Sequence, residues 1–284
     1  RKVVAIAADA FRDNTIVTNI VLPEGITEIG ENAFAGCSAL REINLPETLT
    51  TVGESPFDSC VSLTSITIPG SLTNIGPFMF YKCTGLTDVR LPATMTELAV
   101  GMFQDCTSLT TLALPEGLTT IRDQAFEGSG LKEIDIPANV TTIGLHAFHG
   151  CNNMTSIVIP DTVAEMGTGM FVDCLNLVSV TLPKGLTKIS SSMFQNCQSL
   201  ENVVIPESVT AIDRSAFNRC YSLKNVVIPN GVVSIGLAAF MDCTSLEEIE
   251  LPDSVTTLDN TVFNGCKSLK KVVVPNSVTK LGVE

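Results

Sequence analysis

Several side-chain types that usually mark function are scarce in this sequence. There is no tryptophan, the only tyrosines are Tyr81 and Tyr221, and the only histidines are His146 and His149. Aromatic residues make up 5% and hydrophobic residues 45%, so a core has to be aliphatic, with phenylalanine as its only large ring. Two neighbouring histidines do not allow a histidine-based catalytic triad to be assembled.

Basic charge and long apolar runs are also lacking. Seventeen Lys and Arg stand against thirty Asp and Glu, which gives a formal net charge of −13. A surface this acidic repels phosphate backbones and anionic lipids, so no nucleic-acid partner is expected. Cationic proteins or metal ions are electrostatically more favourable partners. No apolar run approaches the roughly 20 residues of a membrane helix, so no membrane insertion is expected.

The ends of the chain also lack familiar signals. No signal peptide is visible, the first residues are Arg1 and Lys2 rather than Met, and the last residue, Glu284, falls inside a repeat. The sequence therefore predicts a fragment of a longer protein.

What the sequence does have is a repeat. Prolines recur in steps of 23 residues, with one step of 22, at Pro23, Pro46, Pro69, Pro92, Pro115, Pro137, Pro160, Pro183, Pro206, Pro229, Pro252 and Pro275. Phenylalanines keep the same spacing, at Phe11, Phe34, Phe57, Phe80, Phe103, Phe126, Phe148, Phe171, Phe194, Phe217, Phe240 and Phe263. This periodicity predicts one repeat domain over residues 1–284, with about twelve 23-residue repeats.

One unit, residues 40–62, gives each part a physical role. Ile43 and Leu45 alternate with polar neighbours, as in a half-buried strand. Pro46 ends that strand because it has no amide hydrogen. Phe57 and Cys60 are three apart, as on one face of a helical turn. The slot four residues before each Phe favours Gly, Ser and Asp, which are good helix N-caps.

Stacking such units buries apolar side chains that one unit cannot bury alone. The sequence thus predicts an α/β repeat, a right-handed solenoid with a parallel sheet on one side and short helices or turns on the other. Because helices are wider than strands, the sheet is expected on the concave side and the helices or turns on the convex side.

The repeat pattern is specific enough to resemble a known family. L-x-x-I-x-L-P followed by (L/V)-T-x-I-G-x-x-A-F-x-x-C resembles the BspA-type leucine-rich repeat family, from about Val3 to Leu281. The resemblance implies a leucine-rich-repeat solenoid. It also implies a secreted, extracellular or cell-surface protein of an anaerobic bacterium or protozoan parasite, with roles such as adhesion to host proteins. No functional residue carries over, because the matching residues are structural.

All ten cysteines occupy one slot of the repeat: Cys37, Cys60, Cys83, Cys106, Cys151, Cys174, Cys197, Cys220, Cys243 and Cys266. A disulfide framework, metal-binding thiolates and a column of buried free thiols are three interpretations. We favour free thiols. Equivalent convex positions are expected to spread toward the roughly 7 Å Cα limit for a disulfide, their Cβ vectors run parallel, and no C-x-x-C pair exists.

The sequence offers few candidates for chemistry. His146, His149 and Cys151 form a partial metal pattern, but both histidines fall in outer-face slots while Cys151 points inward. We therefore predict no metal site and no cofactor. No phosphate loop or nucleophile elbow is present, and no insertion interrupts the repeats to hold two carboxylates in a cleft. The chain is not expected to be an enzyme.

The outward positions of the predicted strands contain an apolar stripe. Its members are Val158, Thr181, Val204 and Val227, flanked by Ser156, Ser179, Asn202 and Asn225. A stripe of this kind is typical of a protein-binding site, although strand propensity alone also favours Val and Thr there. The first hypothesis is a module that engages a protein or glycan ligand, such as a host extracellular one, through the concave face. The second is a structural spacer that displays other domains.

A second surface feature is the slot after each proline. Its charged members are acidic except for one lysine: Glu24, Glu47, Glu116, Asp161, Lys184, Glu207 and Asp253. Such a ridge either attracts a cationic partner or Ca²⁺, or only keeps the solenoid soluble, because exposed like charges are screened by salt.

Overall fold

The computed structural model describes residues 4–281. Within this range the main chain forms short parallel strands and turns, with no helix and thus none long and apolar enough to cross a membrane. The described residues divide between Ala147 and Phe148 into two compact units, called here unit 1 (4–147) and unit 2 (148–281). The single-domain organisation stays a prediction.

The strands are two or three residues long. Those of unit 1 are β1 (Ala5–Ile6), β2 (Asn19–Ile20), β3 (Glu28–Ile29), β4 (Glu42–Ile43), β5 (Thr51–Val52), β6 (Ser65–Thr67), β7 (Asn74–Ile75), β8 (Asp88–Arg90), β9 (Glu97–Leu98), β10 (Thr120–Ile121) and β11 (Thr142–Ile143). Those of unit 2 are β12 (Ser156–Val158), β13 (Glu165–Met166), β14 (Ser179–Thr181), β15 (Lys188–Ile189), β16 (Asn202–Val203), β17 (Ala211–Ile212), β18 (Ser234–Ile235), β19 (Glu248–Glu250), β20 (Thr257–Leu258), β21 (Lys271–Val273) and β22 (Lys280–Leu281).

The solenoid has two ladders of strands where the sequence predicted one. The predicted ladder precedes the prolines and pairs β2 with β4, β6 with β8, β14 with both β12 and β16, and β19 with β21. We call the side that carries its outward side chains the strand face. A second ladder follows the prolines, with β1–β3–β5–β7 and β9–β10–β11 in unit 1 and β15–β17–β18–β20–β22 in unit 2.

The repeat period sets the register of both ladders. Glu28 pairs with Thr51, 23 residues on, whereas Thr120 pairs with Thr142 across the repeat that is one residue short. The shortened repeat therefore keeps its place in the second ladder, because the missing residue lies outside the strands.

Phenylalanine rings form the centre of each unit. Within a unit, successive rings are stacked with centroids 5.1–6.0 Å apart. Phe34, Phe57 and their equivalents through Phe240 are completely buried. These spacings are close to the roughly 4.8 Å between neighbouring strands, so the two sides of a turn are stacked almost equally tightly.

The helix predicted around each Phe is wrong, and the segment is a series of turns. Two residues of every turn have positive φ, between 50° and 75°, one of them two residues before the Phe and the other two residues after it. Examples are Asn32 and Gly36 around Phe34. A left-handed residue ends an α-helix. The sheet was expected on the concave side because helices are wider than strands. Since no helix is present in the described residues, that reason does not apply, and the concavity of the sheet stays a prediction.

Hydrogen bonds explain this backbone. The N–H of Phe34 donates to Pro56 C=O of the next turn (2.9 Å), and the N–H of Gly36 donates to Asp58 C=O (2.7 Å). The intervening amide of Ala35 instead donates three residues back, to Asn32 (3.0 Å). An α-helix would use all these amides along its own axis, and none would remain to join neighbouring turns.

The glycines read as helix N-caps have a different role. A Cβ atom on Gly53 or Gly76 would overlap the main chain of the preceding turn, at Glu31 and Gly53 respectively. Gly144 and Gly236 are equally close to the turn before them. The slot favours Gly because two backbones approach each other there.

The cysteines are free thiols, and they bridge neighbouring turns. Nine thiols donate to the carbonyl oxygen of the Phe 26 residues earlier, at 3.0–3.2 Å. The same carbonyl accepts a main-chain N–H in its own turn, as Phe34 C=O does from Cys37 N–H (3.1 Å). The expected spread of the convex positions is therefore not the reason that the thiols stay free, because the neighbouring rings are only 5.1–6.0 Å apart.

Substitution of a left-handed glycine should destabilise the fold. Gly128 has φ +65°, and a Cβ there would overlap the Asp105 carboxylate. We expect Gly128→Ala to lower the free energy of unfolding by about 1–3 kcal/mol, measured by chemical denaturation. Thr261→Gly is the matched control, because it relieves a β-branched residue at φ +57° and should be neutral or stabilising. Equal stability of Gly128→Ala and the parent chain would contradict this account.

The buried thiols should make the protein sensitive to base. Burial raises the pKa of Cys174, Cys197 and Cys220 well above the ordinary value of 9.0. Above about pH 9 each thiol loses its proton in the unfolded chain and keeps it in the folded one. The stability is therefore present below pH 9 and falls as pH rises, by up to about 1.4 kcal/mol per thiol and pH unit.

This dependence can be measured by denaturation at pH 8–10.5. We expect the stability of Cys197→Ala to fall less steeply with pH, because its unfolding releases one proton fewer. Val209→Ala also truncates a fully buried side chain but should keep the parent's slope. Identical slopes in the parent and Cys197→Ala would show that the thiol does not titrate differently on unfolding.

Candidate binding surface

The surface predicted from the sequence lies on the strand face of unit 2. Ser156, Ser179 and Asn202 are aligned across β12, β14 and β16. The residues that follow them in the strands, such as Ile157 and Val203, are buried. Side chains alternate between the two faces of a strand, so the aligned polar residues point outward, as predicted.

Beside this polar row lies the apolar one, which we call the valine column: Val158, Thr181, Val204 and Val227. Val158 is 62% exposed, Val204 82% and Val227 79%. The polar flanks are exposed as well, namely Ser156, Ser179, Asn202 and Asn225. Val204 and Val227 occupy successive turns and together form the most exposed apolar part of the column.

The main-chain ladder under the valine column is interrupted. Residues 225–227 form no strand, so among the described residues the strand-face ladder has no member between β16 and β19, whereas β17 and β18 belong to the second ladder. In the next turn Leu251 N–H donates to Val273 C=O at 3.1 Å. In the described part of the chain no equivalent bond joins Ile228 N–H to Glu250 C=O, so these two main-chain groups are not paired with each other.

An open depression of about 480 Å³ lies at this interruption. Amide, apolar and charged side chains line it, among them Asn225, Val227, Asn230, Glu248, Glu250, Lys271 and Val273. Its volume is in the range of small-molecule and side-chain pockets. Sequence reasoning missed it. Residues 202–205 and 225–228 both read N-V-V-I, so no local signal separates the paired segment from the unpaired one.

Of the two histidines that suggested a partial metal pattern, His149 lies in a polar network of unit 2. His149 Nε2 is 3.2 Å from Asp173 Oδ2, and Asn196 Nδ2 donates to the other carboxylate oxygen at 2.7 Å. Cys151 is buried. Within residues 4–281 no group of three or more His, Cys, Asp and Glu side chains is placed to hold a metal ion.

The acidic slot after the prolines is partly used to join turns. The Asp161 carboxylate accepts hydrogen bonds from both the main-chain N–H and the Nζ of Lys184, at 2.9 Å. These bonds, the main-chain one first, lower the pKa of Asp161. In unit 1 the slot also holds Gly70 and Ala93. The carboxylates therefore do not form a continuous ridge.

The repeats match a known family along the chain. A profile of the BspA type leucine rich repeat region, with six copies, matches residues 4–131, 82–201, 119–247 and 210–284. The chain belongs to this family. Its fold is the parallel-strand leucine-rich-repeat solenoid of about twelve turns, and repeats of this family typically bind proteins and are generally not enzymes.

Solved structures agree with the BspA-type assignment. A leucine-rich repeat protein from Bacteroides ovatus is 33% identical, with a TM-score of 0.84 over 99% of this chain and 79% of its own. A leucine rich cell surface protein from Faecalibacterium prausnitzii is 31% identical, with a TM-score of 0.66 over 95% and 83%. A leucine-rich repeat protein from Eubacterium ventriosum, 23% identical with a TM-score of 0.70 over 96% and 82%, shows the same fold. No curated protein matches the chain significantly.

The same substitution should have different effects at the neighbouring residues Val203 and Val204 of this BspA-type chain. Val203 is 7% exposed and Val204 is 82% exposed. We expect Val203→Thr to cost about 1–2 kcal/mol, because it buries a hydroxyl, and Val204→Thr to change the stability by less than about 0.5 kcal/mol. Chemical denaturation of both variants measures the difference. A loss at Val204 as large as that at Val203 would mean that Val204 is packed in solution and is not a free surface.

Proposed function

We propose that this chain is a non-enzymatic extracellular or cell-surface module that binds a protein or glycan ligand through the strand face of unit 2. The contact residues are the valine column (Val158, Thr181, Val204 and Val227) and its polar flank (Ser156, Ser179, Asn202 and Asn225). The observation that carries the proposal is the near-complete exposure of Val204 and Val227 on adjacent turns.

Two physical arguments support this surface. On soluble proteins, contiguous exposed apolar side chains rimmed by polar residues often mark an interaction site. The stripe also has polar edges, which is the usual arrangement of an apolar centre and a hydrated rim at protein interfaces. A surface location is supported by the cell-surface description of the F. prausnitzii protein.

The alternative function is a structural spacer that displays other domains of a longer protein. The regularity of the repeats favours it, because a stack of nearly identical turns is a stiff support even without a ligand. The two functions differ in the role of Val204 and Val227: the module uses them as contacts, whereas in a spacer they serve only the strand propensity of their positions.

The experiment that tests the proposal is a binding screen of the chain against host extracellular-matrix proteins and glycans. A Val158/Val204/Val227→Glu variant is measured beside it. Three carboxylates on the column should abolish binding, because each contact would bury an unpaired charge. Val233→Glu is the matched control, since Val233 is 45% exposed in unit 2 outside the column, and this variant should bind as the parent does.

The outcomes separate the two functions. Binding that the triple variant loses and the control keeps supports the strand-face module. Binding that all three proteins share equally would place the ligand elsewhere and contradict the proposed site. No binding to any member of the panel favours the spacer.

A further inference from the structure

The valine column continues into a charged position. Glu250 is the next outward residue after Val227 in this row, and its partner in β21 is Val273. Its carboxylate is therefore exposed between two valines that are 79% and 37% exposed. In the described part of the chain it forms no ion pair at 4 Å or less.

The carboxylates around Glu250 differ, because basic side chains lie beside them. Glu248 is aligned with Lys271 across β19 and β21, and Glu247 forms an ion pair with Lys270 at 3.3 Å. Opposite charges on directly facing positions of neighbouring strands compensate each other. Glu250 is thus the uncompensated negative charge of this row, with apolar neighbours on both sides.

The interrupted ladder adds main-chain partners at the same place. Ile228 N–H and Glu250 C=O, which would close the ladder, are not bonded to each other. Asn225 and Asn230 contribute amide side chains to the depression. A bound main chain needs donors and acceptors of this kind, because a buried peptide group without a partner is costly.

We propose that this opening binds an extended polypeptide segment with an aliphatic side chain followed, three residues later, by arginine or lysine. The aliphatic side chain lies on Val204 and Val227, and the cation pairs with the Glu250 carboxylate. Two turn spacings of roughly 4.8 Å separate Val204 from Glu250, or roughly 10 Å, which is the length of three residues of extended chain. The inference rests on the proposed function and specifies its ligand class.

Charge and composition favour a cationic peptide over the other ligand classes. An anionic ligand would face Glu250 without compensation, and the formal net charge of −13 opposes its approach. The strand face of unit 2 carries no aromatic ring on which a sugar could stack, because its phenylalanines and Tyr221 all lie in turns outside the strands. Aliphatic contacts together with one carboxylate fit a peptide side-chain pair.

The test uses three synthetic peptides that are blocked at both ends and identical except at two positions. The first has the sequence STITTRTS, the second replaces its arginine by glutamine, and the third replaces its isoleucine by serine. Binding to the whole chain is followed by NMR, with valine methyl resonances assigned. We expect the first peptide to shift the signals of Val204 and Val227 and to bind about threefold to tenfold more tightly than the other two. Its advantage should shrink in 0.5 M salt.

Charge variants of the protein give the decisive comparison. Glu250→Gln should remove the preference for the arginine peptide over the glutamine peptide. Glu250→Lys should instead prefer a fourth peptide, used only in this comparison, that carries glutamate in place of the arginine. Glu207→Gln is the control, since it removes an exposed carboxylate of unit 2 outside the opening and should keep the preference. Both positions are exposed, so the fold should remain intact in all three variants.

Each outcome bears on either this inference or the proposed function. Absence of methyl shifts at millimolar arginine peptide, or a preference that survives Glu250→Gln, would overturn the peptide assignment. The proposed function is tested separately, by the effect of the triple valine substitution on binding to a partner from the panel. A partner that loses binding to the triple valine variant and binds Glu250→Gln as well as the parent would support the proposed function and contradict the cationic peptide segment.

Discussion

The hydrogen bonds that the Phe segment makes to the next turn hold successive turns at a spacing of 5–6 Å, and the rest of the fold follows from this spacing. It brings the phenylalanine rings into contact at 5.1–6.0 Å, and it places each thiol within reach of the carbonyl of the preceding turn. It also keeps the turn side of the repeat compatible with parallel strands on the opposite side. A helix on this side would separate the turns there and break the ring and thiol contacts.

The sequence predicted the parts of this fold that depend on period and burial. The 23-residue step and the inward positions Ile43 and Leu45 follow from side-chain pattern alone, and both are confirmed by the register and burial. The helix was wrong because Gly, Ser, Asp and Asn are favoured both at N-caps and in left-handed or crowded positions. Composition does not separate these causes. Only the approach of Gly53 to the turn before it, and the positive φ of residues such as Asn32, decide between them.

The candidate surface was predictable to a similar degree. Alternation along the strands is enough to place Val158 and Val204 outward. The depression was not predictable, because N-V-V-I at 202–205 and the same letters at 225–228 differ only in how neighbouring turns pair with them. The isolation of Glu250 likewise depends on register. The sequence contains Glu248, Glu250 and Lys271, but only the pairing of β19 with β21 shows which carboxylate faces the lysine.

The direction of the bonds in the Phe segment has an electrical consequence. In each of these turns the amides at the Phe and two residues to either side point toward the following turn, as Asn32, Phe34 and Gly36 do, so their peptide dipoles are aligned along the stack. Aligned peptide dipoles add, which is the origin of the field at the ends of a helix, whereas the dipoles of strands largely cancel. Each unit therefore carries an internal field beside its column of rings. A charge introduced next to that column would be favoured or disfavoured according to its sign and its position along the row, even where its immediate neighbours are the same.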